Sequence, residues 1–226
     1  RTLGFLSFAL NYRFGGLSVF GYPLVNLLIH IINGFLVYVL VLLLLRASRS
    51  LSTNSPPTSA PWIALATALL FVVHPVQTQA VTYIVQRFAS LVTLFYLLSV
   101  VGYLKWRLGG RFLWYAASLL SCLLAMKTKE NSFTLPLMIL LVEWTFFKPM
   151  RWKAVIPFLL TLSMIPLSQV NAIGEAEGFA RDTTEITRLD YLFTQFRVIV
   201  TYLRLLVLPI NQSLDYDYPI YRSLFH

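Results

Sequence analysis

Residues 20–45 read FGYPLVNLLIHIINGFLVYVLVLLLL and contain no Asp, Glu, Lys or Arg. A helix that crosses a bilayer core needs about 20 consecutive apolar residues, so this run predicts a membrane-spanning helix. The whole chain of 226 residues is 58% hydrophobic and 12% charged, with a mean hydropathy of +0.71. A soluble domain carries about 25% charged residues. The composition therefore excludes a soluble enzyme, a nucleic-acid-binding domain and a disordered tail, and it predicts an integral membrane protein with membrane lipid as a partner.

Six further apolar runs follow the first one. Together they predict an all-α fold, a polytopic transmembrane helix bundle of about seven spans. The predicted spans are 20–45, 61–78, 80–104, 112–126, 132–147, 154–168 and 190–210. The last of them contains Arg197 and Arg204, so it could instead lie along the outer face as an amphipathic helix.

The breaks between the runs alternate in charge. Eight Lys or Arg and no acid occupy breaks 46–61, 105–111 and 148–153, whereas breaks 74–79, 127–131 and 169–191 carry zero, +1 and −3. Cytoplasmic loops of membrane proteins are enriched in Lys and Arg. The pattern places the first set in the cytoplasm and the second set outside it. It also accounts for the net charge of +9 without a nucleic-acid partner.

The chain begins at Arg1 and ends at His226, so we expect an internal piece of a longer protein. Residues 1–19 precede the first span and are predicted to be the interfacial end of an extracytoplasmic loop. Residues 20–210 form the predicted bundle, and residues 211–226 begin the following segment. Cys122 is the single cysteine, so an internal disulfide is excluded.

Polar residues recur on one face of the first span. Asn26, His30 and Asn33 are spaced i, i+4, i+7, which places them on one side of a helix. Polar side chains inside a membrane either join helices by hydrogen bonds or line a functional cavity. Both interpretations stay open for these three residues.

A second group of polar residues surrounds a His-Pro break on the outer side. The break reads His74-Pro75-Val76-Gln77-Thr78-Gln79, and the third span begins beyond it. On a continuous helix Arg87 would lie about 12 Å below Gln79. A guanidinium at that depth needs an anionic ligand or a carboxylate partner, and His74 is either structural or part of the same pocket.

The third group is the outer turn Lys127-Thr128-Lys129-Glu130-Asn131. Lysines on a non-cytoplasmic turn oppose the usual charge bias, so they favour a binding role over a merely solvated turn. Together the three groups predict a cationic pocket suited to a lipid-borne phosphate. No metal-binding, nucleotide-binding or serine-hydrolase motif accompanies them. Glu143, near the cytoplasmic end of the fifth span, is predicted to have a structural partner.

Four segments carry a resemblance to a known family: RTLGFLSFALNYRFGG, GYPLVNLLIHIINGFLVY, FVVHPVQTQAVTYIVQRFASLVTLFY and AMKTKENSFTLPLMILLVEW. They resemble the polytopic GT-C glycosyltransferases related to protein O-mannosyltransferases. The branch is that of the transmembrane and tetratricopeptide-repeat-containing O-mannosyltransferases and their bacterial relatives. Gln79 stands where the animal enzymes usually carry Glu, which favours the bacterial branch.

The resemblance implies inverting transfer of a mannose-like sugar from a polyprenyl-phosphate donor to an acceptor hydroxyl outside the cytoplasm, with a protein as one possible acceptor. It implies a general-base Asp or Glu upstream of Arg1, so no catalytic residue of this chain is assigned. The lipid phosphate would be held by Arg87, Lys127 and Lys129. The predicted pocket also contains His74, Gln77, Gln79, Glu130, Asn131, Asn26 and His30. No cofactor beyond the donor is implied, and a divalent metal requirement stays open.

The expected location is the bacterial inner membrane with a periplasm-facing site, or the endoplasmic reticulum of a eukaryote. Tetratricopeptide repeats would follow residue 226. Two rival functions stay open: a lipid or solute transporter or flippase, and a non-catalytic membrane anchor for the repeats. Transporters often show inverted repeats, and no such internal symmetry is evident in the sequence.

Overall fold

The computed structural model describes residues 2–49, 58–164, 188–213 and 219–220. All regular structure in these ranges is helical, which confirms the predicted all-α class. The helices are α1 (Thr2–Gly15), α2 (Gly21–Arg49), α3 (Ala60–Val73), α4 (Thr78–Thr82), α5 (Arg87–Arg107), α6 (Phe112–Thr128), α7 (Thr134–Phe146), α8 (Trp152–Leu160) and α9 (Arg188–Val207). Short 3-10 turns lie at Pro75–Gln77, Ile84–Gln86, Glu130–Phe133 and Thr161–Ser163. The Ser/Pro-rich part of break 46–61, most of break 169–191 and most of segment 211–226 lie outside the described residues.

Fewer helices than expected satisfy the length and composition of a membrane span. Within the described ranges Gly21–Ser48 and Ile84–Arg107 do so, and a third span results if Ala60–Val73 and Pro75–Thr82 are counted as one helix bent by 49°. The helix α6 has 17 residues and α7 has 13. At 1.5 Å per residue α6 is about 26 Å long, short of a hydrocarbon core of about 30 Å. About seven spans are thus not shown within the described residues.

The first break in the bundle follows from Pro75. Proline lacks an N–H and disfavours helical backbone at the residue before it. Accordingly α3 ends at Val73, and His74 is extended with ψ 126°. The His74 ring nitrogen Nδ1 accepts the Val76 N–H at 3.2 Å, which caps the following 3-10 turn. The predicted helix end at the His-Pro pair is confirmed.

A second break was not expected from the sequence. The run 80–104 was predicted to be one helix, but α4 ends at Thr82, Tyr83 is extended, and α5 begins at Arg87. A side chain of α2 donates hydrogen bonds to two backbone carbonyls at this break. Asn26 Nδ2 donates to Val81 O at 3.4 Å and to Tyr83 O at 3.0 Å. Since Arg87 starts a helix, the predicted depth of about 12 Å down a continuous helix is wrong.

The helix α5 lies between α2 and α6, and small residues allow the close approach. A Cβ at Gly102 would lie 3.0 Å from Trp114 O and 3.1 Å from Ser118 Cβ. Ser118 Oγ donates to Ser99 O at 2.6 Å across the same interface. Association through small residues and interhelical hydrogen bonds is typical of membrane helices. On the other side, a Cβ at Gly34 of α2 would collide with Val72 of α3.

The bundle has two distinct ends, which we call the Lys129 end and the Arg151 end. The Lys129 end holds Lys129 beside Gln86, which precedes α5, and Phe88 of the first turn of α5. At the Arg151 end, Arg107 contacts Glu143, and Tyr115 OH donates to Ala154 O at 3.0 Å. Thus α5 and α7 run antiparallel to α6 and α8, as the alternation of basic breaks predicts. Basic breaks 105–111 and 148–153 both lie at the Arg151 end.

The position of α9 favours the amphipathic alternative. This helix is not among the described helices that are long and apolar enough to span a membrane. Its end lies beside the His-Pro break: the His74 ring nitrogen Nε2 is 3.2 Å from Leu206 O, and Gln212 Nε2 donates to Pro75 O at 3.1 Å. Residues 206–212 therefore lie at the end of α3 that the sequence places outside the cytoplasm. Asp215 and Asp217 are outside the described residues.

Candidate functional site

Arg87 is fully buried at the start of α5 and is held by neutral oxygens. Its Nε donates to Asn26 Oδ1 at 2.8 Å. Its Nη2 donates to Asn11 Oδ1 at 3.0 Å and to Tyr22 O at 2.9 Å, and its Nη1 donates to Ser7 O at 3.3 Å. No carboxylate of the described residues forms an ion pair with it. Four oxygen dipoles take the place of the expected carboxylate, because each one compensates part of the lost hydration of the guanidinium.

Aromatic rings cover the same guanidinium. Its central carbon lies 4.6 Å from the centre of the Phe8 ring and 5.5 Å from that of Tyr22. Phe8 in turn packs edge-to-face on Phe88 at 5.6 Å. Rings in this position stabilise a cation through their negative faces. Arg87 thus joins α1, α2 and α5, and it is not among the residues that line the cavities bordering Lys129.

The polar face of α2 joins helices. Asn26 forms hydrogen bonds with the Arg87 guanidinium and with the backbone carbonyls at the break after α4. His30 Nε2 lies 3.0 Å from Val72 O, and the ring stacks on Phe71 at 5.5 Å. Asn33 Nδ2 donates to Ser90 O at 3.0 Å, while its buried Oδ1 has no partner among the described residues. Because all three side chains are buried and reach neighbouring helices, the contacts support the interpretation as interhelical hydrogen bonds.

Lys129 sits where α6 ends, on a backbone fixed from both sides. Its N–H donates to Ala125 O at 3.3 Å, and its carbonyl accepts the Ser132 hydroxyl at 2.8 Å. The extended conformation, with φ −155° and ψ 146°, ends the helix and starts the 3-10 turn. The side chain is partly exposed, and no carboxylate of the described residues forms an ion pair with it. Within the described residues the Lys129 ammonium group is therefore unpaired, and it extends from a turn that these two hydrogen bonds hold.

Two cavities border Lys129. The first has a volume of about 320 Å³, and its wall follows α5; its lining residues are Ala89, Val92, Thr93, Tyr96, Leu97 and Asn131. The second, of about 270 Å³, lies at the start of α5 and is lined by Val85, Gln86 and Phe88. Lys129 lines both cavities. One cationic side chain thus lies between a mostly apolar groove along a helix and a more polar hollow at the end of the bundle.

The other predicted pocket residues occupy different positions. Lys127 and Glu130 are exposed on either side of Lys129, and they do not line these two cavities. Gln77 and Gln79 are partly exposed in the segment after the His-Pro pair. His74 bonds α9. The structure brings Lys129 and Asn131 to the start of α5, whereas His74 and Arg87 belong to two separate networks.

Sequence reasoning missed several residues around these networks. Ser7 and Asn11 hold Arg87, and their i, i+4 spacing on α1 is a signal that could have found them. Thr93 and Tyr96 line the groove beside Lys129, and with Ala89 they repeat at i, i+4, i+7 on α5. Within the described ranges no three His, Cys, Asp or Glu side chains come together as a metal site.

The Arg151 end contains a buried ion pair. Glu143 is fully buried, and its Oε2 accepts from Arg107 Nε at 2.7 Å and from Tyr103 OH at 2.9 Å. Its Oε1 accepts the backbone N–H of Arg151 at 2.7 Å. Every donor comes from another segment of the bundle. The structural partner predicted for Glu143 is confirmed as Arg107.

Several curated proteins similar to this chain are named protein O-mannosyl-transferases. Tmtc3 of Drosophila melanogaster is 39% identical over 112 residues, 46% of this chain and 12% of that protein. TMTC4 of Homo sapiens is 38% identical over 106 residues, 46% of this chain and 14% of that protein. Tmtc2 of Drosophila melanogaster is 33% identical over 141 residues, 59% of this chain and 14% of that protein.

The matches confirm the resemblance to the transmembrane O-mannosyltransferases over about half of the chain. The chain spans about one eighth of the length of these relatives. No family model matches the chain. No solved structure matches it significantly.

Proposed function

Since about half of this chain is related to the protein O-mannosyl-transferases, we propose that it forms part of a membrane glycosyltransferase. The enzyme transfers a mannose-like sugar from a polyprenyl-phosphate donor to a hydroxyl group of a protein acceptor. The Lys129 end faces the periplasm of a bacterium or the lumen of the endoplasmic reticulum. This activity belongs to the full-length protein, of which the chain supplies the region around the donor phosphate.

The position of Lys129 between its two cavities carries the proposal. A polyprenyl-phosphate sugar has an apolar tail, a charged phosphate and a polar sugar, in that order. The groove along α5 would accept the tail, through Val92 and Leu97, and the hollow beside Gln86 would accept the sugar. The phosphate would then lie at the Lys129 ammonium. A cation fixed at the boundary between lipid and water suits a ligand that never leaves the bilayer.

The chemistry follows from this placement. The acceptor oxygen attacks the anomeric carbon and loses its proton to a carboxylate. The bond between that carbon and the phosphate oxygen breaks, and its electron pair leaves with the phosphate. Attack from the face opposite the phosphate inverts the configuration. Lys129 stabilises the negative charge that gathers on the leaving phosphate. The resemblance assigns the carboxylate to a loop on the N-terminal side of Arg1.

We assign Arg87 a positioning role. Its side chain is buried, and it donates four hydrogen bonds, to Ser7, Asn11, Tyr22 and Asn26. The next residue, Phe88, lines the hollow beside Lys129. By fixing the first turn of α5 against α1 and α2, Arg87 holds the wall of the donor site. It acts through this wall instead of touching the phosphate.

The test is transfer of labelled mannose from polyprenyl-phosphate mannose by the full-length protein in native membranes. The variants are Lys129→Ala, Lys129→Arg and, as a charge-matched control at the opposite end, Lys148→Ala. We expect Lys129→Ala to lower kcat/KM about 100-fold, the usual effect of losing one group that stabilises transition-state charge. Lys129→Arg should keep part of the activity, and Lys148→Ala should behave like the unmodified protein.

A second measurement separates phosphate binding from structural damage. Polyprenyl phosphate is the product and should inhibit the unmodified enzyme and the Lys148→Ala variant equally. Lys129→Ala should need at least about tenfold more of it, because one charge contact with the phosphate is lost. Normal transfer and normal product inhibition in Lys129→Ala would contradict the proposal. A non-catalytic anchor predicts no transfer by the unmodified protein, and a flippase predicts donor movement across the bilayer without transfer.

A further inference from the structure

A large cavity lies at the Arg151 end, opposite the proposed donor site. Its volume is about 600 Å³, and the rings of Trp106, Tyr115 and Trp152 form much of its wall. Trp106 and Tyr115 lie 4.7 Å apart, centre to centre. Arg151 and Lys153 line the same cavity and are both exposed. It is therefore an aromatic cavity with two cationic side chains at its rim.

The charges in this cavity are available to a ligand. The guanidinium carbon of Arg151 lies 5.6 Å from the centre of the Trp106 ring. The nearby carboxylate of Glu143 is occupied by Arg107 and Tyr103, and it contacts Arg151 only through the backbone N–H. In the described part of the chain no carboxylate forms an ion pair with the side chain of Arg151 or Lys153. The rim thus has a net positive charge that this part of the protein does not neutralise.

An apolar cavity adjoins the first one. It has a volume of about 480 Å³ and is lined by leucines of α7, namely Leu137, Leu140 and Leu141, with Trp144. Met150 and Trp152 line both cavities. The leucines and Trp144 are at least partly exposed on the outside of α7. A cationic aromatic cavity at the end of the bundle therefore continues into an apolar groove on its lateral surface.

We propose that these two cavities bind an anionic phospholipid of the cytoplasmic leaflet. The phosphate of the headgroup lies at Arg151 and Lys153, and one acyl chain lies in the groove along α7. Charge complementarity selects an anionic headgroup, since basic residues at a membrane surface attract acidic lipids. The apolar groove selects a lipid over a free phosphate. The site is separate from the donor site, and the inference does not depend on the proposed transferase activity.

The test uses the full-length protein in nanodiscs that contain equal amounts of phosphatidylglycerol and phosphatidylcholine. Lipids that stay bound after transfer to detergent are counted by native mass spectrometry. We expect the unmodified protein to retain phosphatidylglycerol at least about tenfold over phosphatidylcholine, the effect of two basic residues near a lipid phosphate. The double variant Arg151→Gln/Lys153→Gln should lose this preference. Arg13→Gln, an exposed cation on α1, is the matched control and should keep it.

Two further measurements identify the class of ligand that the cavities bind. Leu140→Trp should lower phosphatidylglycerol retention, because the added ring fills the acyl groove. Millimolar inorganic phosphate should not displace the lipid. Equal retention of the two lipids, unchanged preference in the double variant, or displacement by inorganic phosphate would each overturn the proposal. Equal retention is also the result expected if another segment of the full-length protein fills the cavities.

If the variants do not fold, a measurement on the unmodified protein tests whether the two cavities bind an anionic phospholipid. Brominated acyl chains quench tryptophan fluorescence on contact, and Trp144 and Trp152 line the proposed acyl groove. Brominated phosphatidylglycerol, as a minor component of phosphatidylcholine nanodiscs, should quench more strongly than the same amount of brominated phosphatidylcholine. Equal quenching by the two lipids would overturn the proposal.

Discussion

The Arg87 side chain donates from Nε to Asn26 Oδ1 over 2.8 Å, and the amide nitrogen of the same Asn26 donates to Tyr83 O over 3.0 Å. One asparagine of α2 thereby satisfies both a buried cation and the broken backbone that precedes it. Since both side chains are fully buried, water cannot replace either bond. This amide therefore helps to fix the start of α5, and with it the wall of the proposed donor site.

Replacement of Asn26 by Leu should destabilise the protein strongly. The change removes an acceptor from a buried guanidinium and a donor from two backbone carbonyls. A buried hydrogen-bonding group that loses its partner costs about 1–3 kcal/mol, and a charged group such as the guanidinium costs more. Thermal unfolding in detergent should therefore show a much lower midpoint for Asn26→Leu.

Asn33→Leu is the matched control for this prediction. Asn33 is also buried on α2, but it makes one hydrogen bond, and its Oδ1 is unpaired among the described residues. Removing an already unsatisfied atom offsets part of the loss of the bond to Ser90 O. The midpoint should fall less than in Asn26→Leu. Equal midpoints for the two variants would contradict the role assigned to Asn26.

The ion pair at the Arg151 end should lose more stability when one partner is removed than when both are removed. Glu143→Leu leaves Arg107 without its carboxylate partner in a site where its side chain is 7% exposed. We expect a loss of about 3–5 kcal/mol in the free energy of unfolding. The double variant Glu143→Leu/Arg107→Met should recover a large part of this loss, because it removes both charges. Denaturant titration of single and double variants measures the coupling, and additive losses would show that the pair is not coupled.

The sequence predicted the features that depend on local pattern. The helix end at Pro75, the shared face of Asn26, His30 and Asn33, and the opposite ends of Lys129 and Glu143 all follow from spacing and charge. These signals act within one segment or between neighbouring ones, so they are readable without tertiary structure.

The features that the sequence did not predict depend on contacts between distant segments. The break at Tyr83 has no Pro or Gly to mark it, and it is stabilised by Asn26, which lies 57 residues earlier. The partners of Arg87 come from α1 and α2, so charge alone could not show that four neutral oxygens replace an anion. Seven spans are not shown within the described residues, because apolar composition does not fix where a helix ends.

The contact between Gly34 and Val72 yields a stability prediction for the α2–α3 interface. A Cβ at Gly34 would overlap a methyl group of Val72. Gly34→Ala should therefore lower the thermal midpoint, since overpacking costs about 1–3 kcal/mol. Val72→Ala removes the colliding methyl group, so the double variant Gly34→Ala/Val72→Ala should be more stable than Gly34→Ala. A double variant less stable than Gly34→Ala would indicate that the close approach does not set this interface.

The placement of the two ends on opposite sides of the membrane is the most general prediction. Thr78 and Asn131 are exposed at the Lys129 end, and Lys148 is exposed at the Arg151 end. The native Cys122 is fully buried and can be replaced by Ala to give a cysteine-free background. Single cysteines at the three exposed positions are then treated with a membrane-impermeant maleimide in sealed vesicles of known orientation.

Thr78→Cys and Asn131→Cys should react from the extracytoplasmic side, and Lys148→Cys should react from the cytoplasmic side. Permeabilised vesicles, in which all three should react, are the control. Labelling of Asn131→Cys and Lys148→Cys from one side would mean that α7, with its 13 residues, does not cross the bilayer. That result would remove the basis for placing the donor and the anionic phospholipid in opposite leaflets.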